Sequence, residues 1–199
     1  MKKISFLAFF LFLFSAVSYA HGPVRGKMTA TVDIEASAED VWAIVKNFDD
    51  MSWHPGIEVT KATGGNEKGA TRIIAFAEGQ QATEKLKSYN DKKMSYKYKM
   101  TDISIIKTIQ HSGKEEDVPA LPVDNYQAIL TVKKKGNSAV VTWVATYYRA
   151  YMNNYPPEEL NEETADAAVT GVLKAGLTSL LHKFEPNTLP TAITFTMKR

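Results

Sequence analysis

His54 stands in the stretch "MSWHPG", between Trp53 and Pro55. An imidazole there could act as a general base or contact a ligand. Base catalysis needs a partner group held beside it, and no triad or dyad is legible in the sequence. An ordinary turn residue is the competing interpretation. Arg72 and Glu84 form the second set. In "GATRIIAFAE" (69–78) Arg72, Ile74 and Phe76 share one strand face. In "QQATEKLKSYN" (80–90) Glu84 and Leu86 share a face opposite Lys85 and Lys87. The lysines belong in water, so Glu84 points inward, and Arg72 joins it if its own apolar face is inward too. An inward Arg–Glu pair is costly to desolvate. It is either a self-satisfied structural pair or a polar anchor on a cavity wall.

Tyr96, Tyr98, Tyr126, Trp143 and Tyr147 also fall on inward faces by alternation. They serve as core or, in a hollow fold, as cavity lining. With Trp53, His54, Arg72, Phe76 and Glu84 they make up the expected cavity residues. His54, Glu84 and Tyr98 are the candidates if acid–base chemistry occurs. His21 is a weak metal candidate. Removal of residues 1–20 would give it a free amino group next to its imidazole, a chelating pair for an ion such as copper, although a further ligand is required. No zinc motif, phosphate loop or nucleophile elbow is present. The chain has no cysteine, which excludes thiol catalysis and thiolate metal sites. No cofactor is expected.

The elements that must position these residues follow from the ends inward. Lys2 and Lys3, the apolar run Ile4 to Val17, and Ser18-Tyr19-Ala20 have the pattern of a secretory signal peptide over 1–20. The run is short for a membrane span, and no other segment could cross. The two signal lysines account for the whole net charge of +2. The remaining chain is neutral, which speaks against nucleic acid as a partner. The expected compartment is the periplasm.

Residues 21–27 read as a flexible lead. "MTATVDIEA" (28–36) alternates as a first strand. Ser37 is an N-cap, and "AEDVWAIVKNF" places Val41, Trp42, Ile44, Val45 and Phe48 on one face of a helix of about three turns. Pro55 and Gly56 end helical structure. About six strands follow from Ile57 to Ala150, with a hairpin around Gly79 and a clean alternation in "KMSYKYKM" (93–100). The segment 101–123 is longer than a tight turn requires, and Ile103, Ile105, Ile106 and Ile109 continue the strand before it loops back. Such connections are often lids.

The final element opens with Pro156, Pro157 and four glutamates and closes with His182 and Lys183, matching a helix dipole. Leu160, Ala165, Val169, Val172, Gly176, Leu180 and Phe184 recur at helical spacing. Ala168, Gly171, Ala175 and Gly176 keep part of the helix slim, either for close sheet contact or to leave ligand space. The fold class is α+β: an antiparallel sheet of about seven strands curled around one long helix, with short helices after the first strand. One domain spans 28–185, and 186–199 forms an unplaced extension.

The residues "ASAEDVWAIVKNFDDMSWHPGI", "GATRIIAF", "TEKL", "LPVDNYQAILTV" and "VTWVATY" resemble, in that order, the START-related helix-grip superfamily grouped as SRPBCC, the polyketide cyclase/dehydrase relatives. The resemblance implies a sheet gripping the final helix around a largely apolar cavity. The segments "HGP", "IKTIQHSGKEEDVPALPVDNY" and "YYRAYMNNYPPEELNEETADAAVTGVLKAGL" resemble more closely the periplasmic MxaD-type proteins associated with bacterial methanol oxidation. That likeness implies a setting shared with a quinoprotein methanol dehydrogenase and its cytochrome, without establishing an activity. Three functions remain open. One is binding of a small hydrophobic or amphipathic molecule. A second is a cyclase- or dehydratase-like enzyme using His54, Glu84 or Tyr98. A third is a surface partner of the dehydrogenase or cytochrome, acting through "YMNNYPPEELNEE" and 101–123.

Overall fold

The computed structural model describes residues 22–199. The expected signal peptide and His21 lie outside the described residues. Strand β1 (Gly26–Ile34) leads to helix α1 (Ala38–Val45). Ser37 caps α1, its Oγ accepting from Asp40 N at 3.1 Å, with Glu39 and Asp40 in the first turn. The helix is two turns long, not three. Phe48 N–H donates to Asn66 Oδ1 at 2.8 Å, and Asp50 N closes a turn on Asn47 O. The backbone past Val45 is thus engaged by tertiary and turn partners. One helix occupies this region where short helices were expected.

Strands β2 (Val59–Thr63), β3 (Thr71–Ala75), β4 (Gln81–Asn90) and β5 (Ser95–Ile103) follow. The segment expected to form a long loop is instead a second, two-stranded sheet, β6 (Ile105–His111) with β7 (Lys114–Pro119). Ser112 and Gly113 both take positive φ, 51° and 75°. Two such residues between antiparallel strands make the primed turn that matches strand twist. Strands β8 (Val123–Lys135) and β9 (Ser138–Arg149) precede helix α2 (Glu162–His182). The tail ends in strand β10 (Thr194–Lys198), which pairs antiparallel with β1 from Lys27↔Lys198 to Thr31↔Thr194.

The main sheet has eight strands in the order β10-β1-β9-β8-β5-β4-β3-β2, every neighbouring pair antiparallel. Irregularities in register fall between Thr83 and Glu84, between Leu86 and Ser88, and between Asp124 and Gln127. Such bulges bend strands and increase their twist. The concave face so formed receives α2, as a helix-grip-like fold requires. Asn161 caps α2, its Oδ1 accepting from Thr164 N at 2.8 Å. The face that α2 buries runs through Ala165, Val169, Leu173, Gly176, Leu177, Leu180 and Leu181. It therefore includes Leu173 and Leu177, which the spacing from Val172 passed over. Val172 and Phe184 are only half-buried.

Candidate functional site

Between the concave face of the sheet, α2 and the 51–57 segment lies a cavity of about 350 Å³. Its size sits at the lower end of the range of small-molecule sites, ~300–1,000 Å³. Strand register assembles its floor. Arg72 on β3 lies directly opposite Glu84 on β4, and Leu86 of β4 lies opposite Tyr98 on β5. Arg72 Nε donates to Glu84 Oε2 at 2.6 Å, and Nη1 donates to Phe48 O at 2.9 Å. The guanidinium carbon lies 4.3 Å from the Phe48 ring centre and 4.9 Å from that of Tyr98. Arg72 is 1% exposed. Burial is the largest influence and opposes its charge, but the Glu84 carboxylate together with the Tyr96 and Tyr98 oxygens outweighs it and the net pKa moves up.

Glu84 is bonded through one oxygen only. Among the described residues its Oε1 has no hydrogen-bond partner, and it is not fully buried. Because Glu84 lines the cavity, that oxygen is a free acceptor on the floor. Tyr98 Oη accepts from Trp143 Nε1 at 3.1 Å, which leaves the tyrosine proton to donate. The Tyr126 hydroxyl stands beside it. Burial, reinforced by neighbouring groups that include Glu84, raises the pKa of both phenols, so both stay protonated.

His54 is buried. Its Nδ1 accepts from Gly56 N at 3.1 Å. That bond leaves the proton on Nε2, which donates to Val172 O at 3.0 Å. Burial pulls its pKa below the ordinary histidine value, and the Arg72 charge pushes the same way, against the hydrogen bonds that raise it. The ring is thus a neutral brace between the 51–57 segment and α2. Gly176 makes this approach possible: a Cβ there would lie 2.6 Å from His54 Cδ2 and 2.7 Å from Trp143 Cζ3. Gly171, one and a half turns earlier, would put a Cβ into open space. The slim face of α2 is therefore closely packed at Gly176 and open at Gly171, which lines the cavity.

Of the expected cavity residues, His54, Arg72, Phe76, Glu84, Tyr98, Tyr126 and Trp143 line the cavity. Trp53, Tyr96 and Tyr147 do not, and here the sequence expectation is corrected. Trp53 packs behind His54 and Trp143, at centroid distances of 5.9 and 5.5 Å. Among the described residues, its Nε1 is the one fully buried side-chain nitrogen or oxygen with no hydrogen-bond partner. Tyr96 lies among Trp42, Phe48 and Tyr98. Tyr147 donates to Asp166 Oδ1 at 2.8 Å, outside the cavity. Strand alternation identified an inward face but not which part of that face is filled. The lining residues that were missed include Met100, Ile103, Ala120 and Leu121. Met100 shares its strand face with Tyr96 and Tyr98, a signal that was available. The other three depend on where the β6–β7 hairpin departs.

The sequence pattern does not single out the second buried arginine. Arg149 Nε donates to Tyr151 O and Nη2 to Asn153 O, each at 2.7 Å, and Nη1 pairs with Glu162. The β6–β7 hairpin is tied to the same region. Lys107 reaches Glu159 at 3.2 Å, and His111 Nε2 meets Tyr155 O at 2.8 Å. Among the described residues, no three His, Asp or Glu side chains gather as a metal ion would require. Nor is any helix of the described residues long and apolar enough to cross a membrane.

A bent sheet grips a helix over a cavity with a polar floor, and comparisons with known proteins assign that fold to a family. Residues 25–185 match the family described as polyketide cyclase / dehydrase and lipid transport, and the chain belongs to that family. Among solved structures, the chain is similar to the protein XoxI from Bacillus cereus, at 26% identity and a TM-score of 0.62, covering 80% of this chain and 95% of that one. An uncharacterised Bacillus thuringiensis protein matches at 26% identity and a TM-score of 0.61, covering 80% and 98%. Norcoclaurine synthase from Thalictrum flavum, in complex with dopamine and hydroxybenzaldehyde, matches at 16% identity and a TM-score of 0.58, covering 95% and 99%. This last likeness shows the fold alone. No curated protein matches the chain.

Proposed function

We propose that this protein binds a small hydrophobic or amphipathic molecule in its internal cavity, in the periplasm, as an accessory component of methanol oxidation. The observation that carries the binding proposal is the cavity of about 350 Å³, walled by apolar side chains over a buried polar floor. Membership of a family described by cyclase, dehydrase and lipid transport activities supports it. The periplasmic setting rests on the signal-like pattern of residues 1–20. The methanol context rests on the MxaD-like segments at 147–177 and 106–126. Organic extraction and native mass spectrometry of protein purified from its host envelope test the binding. The expected result is a released small molecule at near-stoichiometric amount. A protein that carries nothing and binds no apolar probe overturns the proposal.

The cyclase- or dehydratase-like alternative needs a proton carrier that is free to work in the cavity. His54 has both nitrogens engaged, Glu84 is held by Arg72, and Tyr98 keeps its proton. This arrangement favours binding without turnover. The surface-partner alternative has one specific observation in its favour. The two segments named for it form one surface, through Lys107–Glu159 and His111–Tyr155, with Tyr155 87% exposed and Ile105, Ile106 and Met152 exposed as well. Cross-linking in a methanol-grown host tests it, and failure to recover either the dehydrogenase or its cytochrome sinks it.

A further inference from the structure

We propose that the cavity takes its ligand polar end first, and prefers an end that donates a hydrogen bond, a hydroxyl or an ammonium, over a carboxylate. This rests on the cavity-binding proposal above and adds the ligand's chemical class and orientation.

Burial separates the lining into two zones. Arg72, Glu84, Tyr98 and Tyr126 are buried and form the polar part of the floor, beside buried apolar Met51, Ile74 and Ala82, whereas the half-buried Ile57, Phe76, Ile103 and Leu121 form an apolar rim. An amphiphile held with its polar end outward would lay its tail against the free Glu84 oxygen and cover it without a partner. A buried charged acceptor left unpaired is strongly disfavoured. With the polar end inward, that oxygen gains its missing donor and the tail meets the apolar rim.

The bonds already made on the floor decide which polar end fits. Arg72 carries the positive charge, but two of its three nitrogens are bound to Glu84 and to Phe48 O. The Phe48 and Tyr98 rings flank the guanidinium, and the Tyr96 hydroxyl stands against it. His54 Nε2–H is committed to Val172 O. What remains for a ligand is one carboxylate oxygen and the adjacent hydroxyls of Tyr98 and Tyr126, which, paired with each other, keep one proton to give. A hydroxyl can donate to Glu84 while accepting from a tyrosine, and an ammonium can donate and balance charge. A carboxylate would face Glu84 as a second anion.

Three probes with one tail, 1-octanol, octylamine and octanoate, test this on the full mature chain at neutral pH. Binding is followed by calorimetry and by the fluorescence of Trp143 on the cavity wall. The expected result is that octanol and octylamine bind at least about tenfold more tightly than octanoate. Glu84→Gln should weaken octylamine relative to octanol by about tenfold, with the fold checked by circular dichroism. If loss of the Arg72 partner prevents that variant from folding, Tyr126→Phe leaves the ion pair intact and should weaken octanol selectively. Octanoate binding as tightly as the other two, or Tyr126→Phe and Glu84→Gln leaving the ranking unchanged, overturns the proposal while the cavity-binding function stands. Failure of all three probes overturns the cavity-binding function itself.

Discussion

Two buried arginines, each paired with a glutamate, do different work in this molecule. Arg149 spends its donors on two backbone carbonyls and on Glu162, whose side chain is 27% exposed at the first turn of α2. It is a clamp that fixes the chain between β9 and α2, and its partner remains in contact with water. Arg72 spends its donors on Glu84 and Phe48 O, deep under aromatic rings, and Glu84 is 7% exposed. Yet this deeper pair leaves one acceptor free, among the described residues, facing the cavity. The contrast teaches that burial of an ion pair alone does not mark a functional site. The informative feature is an uncommitted atom that faces space.

The sharpest way to break this comparison is to remove the two glutamates separately. Glu84→Ala strands the Arg72 charge in the core and should cost about 3–5 kcal/mol in urea unfolding. Glu162→Ala leaves Arg149 its two carbonyl bonds and some water, and should cost about 1 kcal/mol. Equal losses would show that the two pairs are energetically alike. A second contrast uses the glycines of α2. Gly176→Ala forces a methyl group against His54 and Trp143 and should destabilise by about 1–3 kcal/mol. Gly171→Ala meets nothing and should stabilise by roughly 0.5–1 kcal/mol through helix propensity. Thermal melts of both variants check this opposite sign.

Protonation offers a smaller test of the cavity wall. The folded state holds the His54 pKa below the unfolded value of about 6.5. The unfolded chain therefore binds more protons in the window between the two pKa values. Stability is full above the unfolded value and falls as pH drops from it toward the folded one. Denaturant midpoints measured from pH 7.5 downward should show this decline, and His54→Gln should flatten it. The smallest effect belongs to the hairpin surface. Lys107 and Glu159 are both well exposed, so Lys107→Ala should change stability by less than about 0.5 kcal/mol. A larger change in the same unfolding assay would mean that the hairpin is fastened more tightly than its ion pair indicates.

Much of the framework was legible in the chain. Ser37 acts as the N-cap it was expected to be, because a hydroxyl before an acidic first turn satisfies a backbone donor locally. Alternation placed Arg72 and Glu84 inward, because strand geometry sends every second side chain to the same face. Two elements were readable and passed over. The Ser112–Gly113 step is a hairpin turn signal, and the run from Thr194 to Lys198 alternates as a strand should. The clamp role of Arg149 carried no local signal, since its partners are carbonyls brought near by the turn after β9.

The sequence alone determined the strand-and-helix order, the inward faces and the types of side chain available for polar work. These depend on local geometry and on the solvent preference of each residue. Tertiary structure decided that His54 is a satisfied brace between Gly56 N and Val172 O, since that bond crosses 118 positions of chain. It also decided that Tyr96 and Tyr147 pack away from the cavity that Tyr98 and Tyr126 line, and that one oxygen of Glu84 stays free. Neighbours on one inward face share a hydrophobic pattern, and only the bend of the sheet and the placement of α2 determine which of them meet empty space.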